Sequence, residues 1–125
     1  MATQTASFPG RAAIEAYGNG GFRFAGMSHR GSILCLAGSI VAWDVTAAEE
    51  LTPESLEPVL AEKELTRSLL LGTGARQIFT SPTVRAAFRE AGIALEVMDT
   101  GAACRTYNVL LGEGRPVAAA LIAVD

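Results

Sequence analysis

The run that most limits what this chain can fold into is Val117 to Val124, VAAALIAV, in which no side chain is polar. A strand with one wet face alternates apolar and polar residues, whereas a continuous apolar run of strand length suits burial on both faces. Spanning a bilayer as a helix takes about 20 apolar residues. The run therefore reads as an interior strand, and the sheet around it must be covered on each side.

The residues leading up to it alternate strand and helix. Ser68 to Leu71 is a short apolar strand ending in Gly72-Thr73-Gly74, and Gln77 to Phe79 is a second short extended piece. Ser81-Pro82 starts a helix whose Val84, Ala87, Phe88 and Ala91 face inward, with Gly92 placed to close it in the left-handed conformation. Ile93 to Val97 reads as a strand and Thr100 to Leu111 as a helix. Such alternation implies parallel pairing through right-handed crossovers.

The first half has a different grammar. Met1 to Arg11 is small, polar and without periodicity, so a mobile arm is expected there and a single domain over residues 12–125. Ile14 to Tyr17 predicts a strand and Gly18-Asn19-Gly20-Gly21 a tight reversal. A hairpin is expected from Phe22 to Met27 and Ser32 to Leu36 around a turn at Ser28-His29-Arg30-Gly31, followed by a strand over Ser39 to Val45. The start is thus an N-terminal β-meander. From Thr46 the chain turns acidic, and Thr52-Pro53 opens a helix with Leu56, Val59 and Leu60 inward, interrupted by Pro58.

Composition narrows the function. Of 125 residues, 50% are hydrophobic and 18% charged, which favours one folded core over disorder. The net charge of -3 and the scattered Lys and Arg residues supply no basic stripe, so nucleic acid is not an expected partner. MATQTASFPGR lacks the charged start and apolar middle of a secretory signal, so a cytoplasmic location is expected. Cys35 and Cys104 then read as free thiols, and with a single His neither a metal site nor a bound cofactor is expected.

In open α/β sheets ligands gather beyond the carboxyl ends of parallel strands. Two loops qualify, Gly72-Thr73-Gly74-Ala75-Arg76 and Asp99-Thr100-Gly101, and parallel strands would place them on one rim. On the helix after the second loop, Ala103, Tyr107, Leu110 and Leu111 form a buried face, with Gly101, Arg105, Asn108 and Gly112 in a stripe opposite. Asp99 or Thr100 caps that helix, whose first amides favour an anion, with Arg76 and Arg105 as partners. Gly-Thr-Gly has neither the spacing of a dinucleotide fingerprint nor the Lys of a P-loop. Cys104, in the first turn beside Arg105, is placed where a thiolate can be stabilised, although a buried cysteine is the commoner outcome. His29 reads as a solvated turn residue, and no set of catalytic residues is complete.

YGNGGFRFAGMSHRGSILCL, the Gly72 to Gly74 turn, GIALEVMDTGAACRTYNVLLGEGR and the closing VAAALIAV together resemble the Mth-like domain family, which includes mitochondrial complex I (NADH:ubiquinone oxidoreductase) assembly factor 3 and many uncharacterised prokaryotic proteins. The resemblance implies an α/β, three-layer β/β/α-type fold with a central mixed sheet, no established enzymatic activity for most members, and an assembly role for the mitochondrial branch, with protein partners such as subunits of a membrane complex; it supplies no catalytic residues. Gly72, Gly74, Asp99, Thr100, Ala103, Cys104, Thr106, Tyr107 and Asn108 match the family's pattern; Arg105 is not fixed in it.

The expectation is thus an interaction or assembly module, cytoplasmic or peripheral to the inner membrane, with a homo-oligomer compatible with the sequence. Its expected surface is Gly72, Thr73, Gly74, Arg76, Asp99, Thr100, Gly101, Cys104, Arg105 and Asn108. The competing expectation is a small-molecule or anion-binding protein or enzyme using the same rim.

Overall fold

In the computed structural model, which describes residues 7–125, the apolar run supplies the strand β9 (Val117–Leu121), which has a neighbour on either edge. The strands before it are β1 (Ser7–Phe8), β2 (Ile14–Gly18), β3 (Gly21–Phe24), β4 (Met27–Arg30), β5 (Ser32–Cys35), β6 (Ile40–Trp43), β7 (Ser68–Gly72) and β8 (Ala94–Met98). The α-helices are α1 (Glu57–Leu60), α2 (Pro82–Ala91) and α3 (Thr100–Gly112). A mixed sheet has the order β1-β6-β5-β9-β7-β8, with β7 parallel to both β8 and β9 and the remaining pairs antiparallel.

Alternation along the inner strands divides the interior into two cores. Ala118, Ala120 and Ile122 join Leu34, Leu69 and Leu71 on the face covered by α2, through Val84 and Phe88, and by the 46–65 segment, through Leu51, Leu56 and Val59. Val117, Ala119 and Leu121 join Ile33, Cys35 and Leu70 on the other face, beneath Ala103, Cys104 and Tyr107 of α3. Each buried Leu or Ile contributes about 1.5–3 kcal/mol, so a one-residue slip of β9 would disrupt both cores.

The meander does not stay in one sheet. β2, β3 and β4 form a separate antiparallel sheet whose Ile14, Phe22 and Phe24 enter the second core beside α3. The layers are thus helix, mixed sheet, and a third layer shared by α3 and the small sheet, which bears out the expected three-layer α/β class.

Several local expectations change. The turn placed at Ser28 to Gly31 is strand β4 instead, and the reversal falls at Ala25-Gly26, where both residues have positive φ of 51° and 73°. Alanine rarely adopts that region, so nothing in its identity signals a two-residue turn. Gly31, at φ 100°, then lets the chain leave the small sheet for β5. His29 is consequently buried, 8% exposed, with Nε2 donating to the Ser32 carbonyl at 3.3 Å. Gln77 to Phe79 joins no strand. Pro58 does not interrupt a helix, since it lies in the first turn of α1, where its missing N–H leaves no bond unmade.

Within the expected arm, residues 7–11 are held against the fold. Residues 1–6 lie outside the described residues, whereas Ser7 and Phe8 pair with Val41 and Ile40, and Arg11 donates to the carbonyls of Arg115 and Val117. The helix at Ser81-Pro82 begins with the Ser81 hydroxyl accepting from the Val84 amide and ends at Gly92 with φ 77°, as the sequence predicts. No helix among the described residues is long and apolar enough to cross a membrane.

Candidate functional site

Because β7 and β8 are parallel, with Gly72 beside Met98, the two candidate loops emerge at the same rim. β9 also ends there, with Leu121 opposite Gly72, so Ile122 to Asp125 becomes a third component. The closeness of α3 to β7 depends on Gly72, where a Cβ would lie 2.9 Å from the Thr100 Cα and 3.2 Å from the Ala103 Cβ.

Thr100 ties the three chain segments together. Its fully buried hydroxyl donates to the Ile122 carbonyl at 2.7 Å and accepts from the Gly74 amide at 2.9 Å. The Thr100 amide in turn donates to the Gly74 carbonyl at 2.8 Å. Thr73 performs a similar task inside its own loop, donating to the Arg76 carbonyl at 2.7 Å and accepting from the Ile78 amide at 3.0 Å. Both predicted threonines therefore turn inward to hold the rim's shape.

Asp99 caps α3, its Oδ1 accepting from the Ala102 amide at 2.8 Å. With the Thr100 and Ala102 amides thus occupied and a carboxylate at the helix start, the terminus is poorly suited to the anion that the sequence suggests. The predicted outer stripe of α3 is largely covered by the chain itself. Asn108 donates to the Ile14 carbonyl at 2.9 Å and accepts from the Ile14 amide at 2.8 Å, so it completes the edge of β2 as a strand neighbour would. Gly101 lies under the Tyr17 hydroxyl, to which Arg105 donates at 3.4 Å.

Cys104 is buried, and burial pushes its thiol up to about 12 even though Arg105 pulls it down. A thiol in that state is a poor nucleophile near neutral pH. Cys35 is more deeply buried and is raised for the same primary reason, with the Cys104 charge adding to it. Among the described residues, no three His, Cys, Asp or Glu side chains form a group able to hold a metal ion.

What the rim leaves open is a groove of about 650 Å³ lined by residues including Tyr17, Glu49, Gly74, Ile78, Asp99 and Val124. Thr73 and Gly101 also border it, whereas Arg76, Cys104, Arg105 and Asn108 do not. Directly after Ile78, Phe79 stands 76% exposed. Thr46 to Glu49, Tyr17 and the chain end were not legible as parts of this site, since their nearness to the two loops arises only when the sheets stack. Thr46 also steadies this wall, donating from its amide and hydroxyl to Glu50, whose carboxyl these bonds hold below the usual range.

The comparisons agree with this architecture. Residues 14–122 match a family described as a protein of unknown function, DUF498/DUF598. Over 115 residues the chain is 36% identical to the mouse NADH dehydrogenase [ubiquinone] 1 alpha subcomplex assembly factor 3, covering 92% of this chain and 62% of that protein. A crystal structure described as an outer membrane protein from Bartonella henselae is 50% identical, with a TM-score of 0.91 over 94% of this chain and 99% of the other. A Bordetella pertussis protein described as an Mth938-like domain is 28% identical, with a TM-score of 0.78 over 90% of this chain and 85% of its own. The chain therefore belongs to the DUF498/DUF598 family and carries its Mth938-like fold.

Proposed function

We propose that this chain is an interaction module that acts in the assembly of a membrane-bound respiratory complex and docks its partner at the rim groove. The observation that carries the reading is the likeness over 92% of the chain to a protein named as an NADH dehydrogenase assembly factor. The geometry supports docking over chemistry at the rim. Its threonine hydroxyls and two α3 amides are bonded internally, the nearby thiol is buried, and the apolar side chains of Ile78 and Phe79 face solvent beside it. Adjacent exposed apolar side chains beside a concavity suit an interaction surface.

Deleting the gene in its host and resolving membrane complexes on a native gel, stained for NADH oxidation, tests this directly. The expected result is a loss of assembled NADH dehydrogenase with accumulation of smaller sub-assemblies, restored by the wild-type chain. Undiminished assembly in the deletion strain would refute the proposal.

A further inference from the structure

We infer that the rim groove binds a cationic, amphipathic peptide segment of the partner protein, with alternating basic and apolar side chains; this rests on the docking reading above and names the partner's chemistry. The groove wall is mixed, with apolar surface from Tyr17, Ile78 and Val124 beside the carboxylates of Glu49, Asp99 and Asp125, and no Lys or Arg lines it. Charged groups across an interface select an occupant of opposite sign and penalise one of like sign. The apolar wall adds the requirement for hydrophobic side chains, so neither a simple cation nor an anionic metabolite satisfies both features.

Length separates a peptide from a small ligand. Phe79, 76% exposed, is not part of the cavity lining, whereas its neighbour Ile78 is. An occupant that covers both must extend past the groove, which an extended segment does and a compact metabolite does not. The same carboxylates decide against an anionic lipid surface, which they would repel even as Phe79 offered an apolar anchor.

The full chain, labelled with ¹⁵N, would be titrated with a short synthetic peptide alternating lysine and leucine, with its glutamate–leucine counterpart, and with phosphatidylglycerol vesicles. The lysine peptide is expected to give saturable amide shifts at Glu49, Gly74 and Ile78, with affinity weakened about tenfold or more in Glu49→Lys and in Phe79→Ser, both at exposed positions. Shifts elsewhere, no saturation, equal binding of the glutamate peptide, or vesicle binding in its place would overturn the inference. Running both variants in the deletion strain keeps the two proposals separable. If the wild-type chain and both variants restore assembly while the peptide fails to bind, the groove inference and the docking site at the rim fall, and the assembly role stands. If deletion leaves assembly intact while the peptide binds as described, the reverse holds.

Discussion

Replacing Thr100 with Val isolates the bonds that close the rim. The two side chains have nearly the same shape, so the exchange leaves no cavity, but it removes both the donor to Ile122 and the acceptor for Gly74. Thr100 is fully buried, and the Gly74 and Ile122 residues it serves are buried too. An orphaned buried backbone group costs about 1–3 kcal/mol. The expected loss is therefore about 3 kcal/mol, a large fraction of the roughly 5–15 kcal/mol that holds a domain folded. At this chain length that corresponds to a fall in Tm of roughly 10 °C. Thr100→Ser provides the contrast, since it keeps the hydroxyl and loses one methyl, at about 1 kcal/mol. Urea unfolding followed by far-UV circular dichroism, with an unchanged slope against denaturant, reads both. The expected order is wild type, then Thr100→Ser, then Thr100→Val as the least stable. If packing alone held the rim, Val would match wild type and Ser would be the worse variant; that inverted order would refute the reasoning.

Three further outcomes follow from the same structure. Gly72→Ala sets a methyl against the backbone of Thr100 and the Cβ of Ala103, so α3 must move off β7 at about 1–3 kcal/mol; a urea midpoint equal to wild type would contradict this close packing. Asn108→Leu removes both bonds to Ile14, and native-state hydrogen exchange should quicken at Ile14 and along β2 while the amides of α2 keep their protection; uniform quickening would point to general destabilisation instead. Burial raises the pKa values of Cys35, Cys104 and Tyr107 above their ordinary values, so the folded chain holds these protons to higher pH than the unfolded chain. Their contribution is full below about pH 9, where the unfolded thiols begin to ionise, and is lost as pH climbs towards about 12, at up to about 1.4 kcal/mol per pH unit for each group. Urea midpoints should therefore fall steadily above pH 9, and a flat profile to pH 10.5 would show that the groups are not buried as described.

Legibility in the sequence followed the range of the interaction. Ser81, Gly92 and Asp99 act on amides within a few residues, so caps and helices over Pro82–Ala91 and Thr100–Gly112 could be read directly. The shared rim was legible because the strand–helix alternation implies parallel strands, and parallel strands end on one side. The small sheet was less so. Its outer strand carries the polar Ser28, His29 and Arg30, its turn uses an alanine with positive φ, and its cohesion comes from placing Phe22 and Phe24 against the opposite layer. Asn108 was singled out for its position on the helix stripe, but nothing local shows that its amide serves Ile14, 94 residues away.

Local pattern and covalent geometry by themselves determined that an apolar interior strand must be covered on both sides, that helices begin at Ser81 and at Asp99 or Thr100, and where the two rim loops fall. Tertiary structure decided which surfaces remained for a partner. It folded β2 over the stripe on α3, turned Thr73 and Thr100 inward, and lowered Cys104 into the core. It also brought Glu49, Tyr17 and Val124 to the groove. Burial and hydrogen-bond partners depend on residues distant in the chain, and those same partners determine whether a polar side chain is spent on the fold or left available for binding.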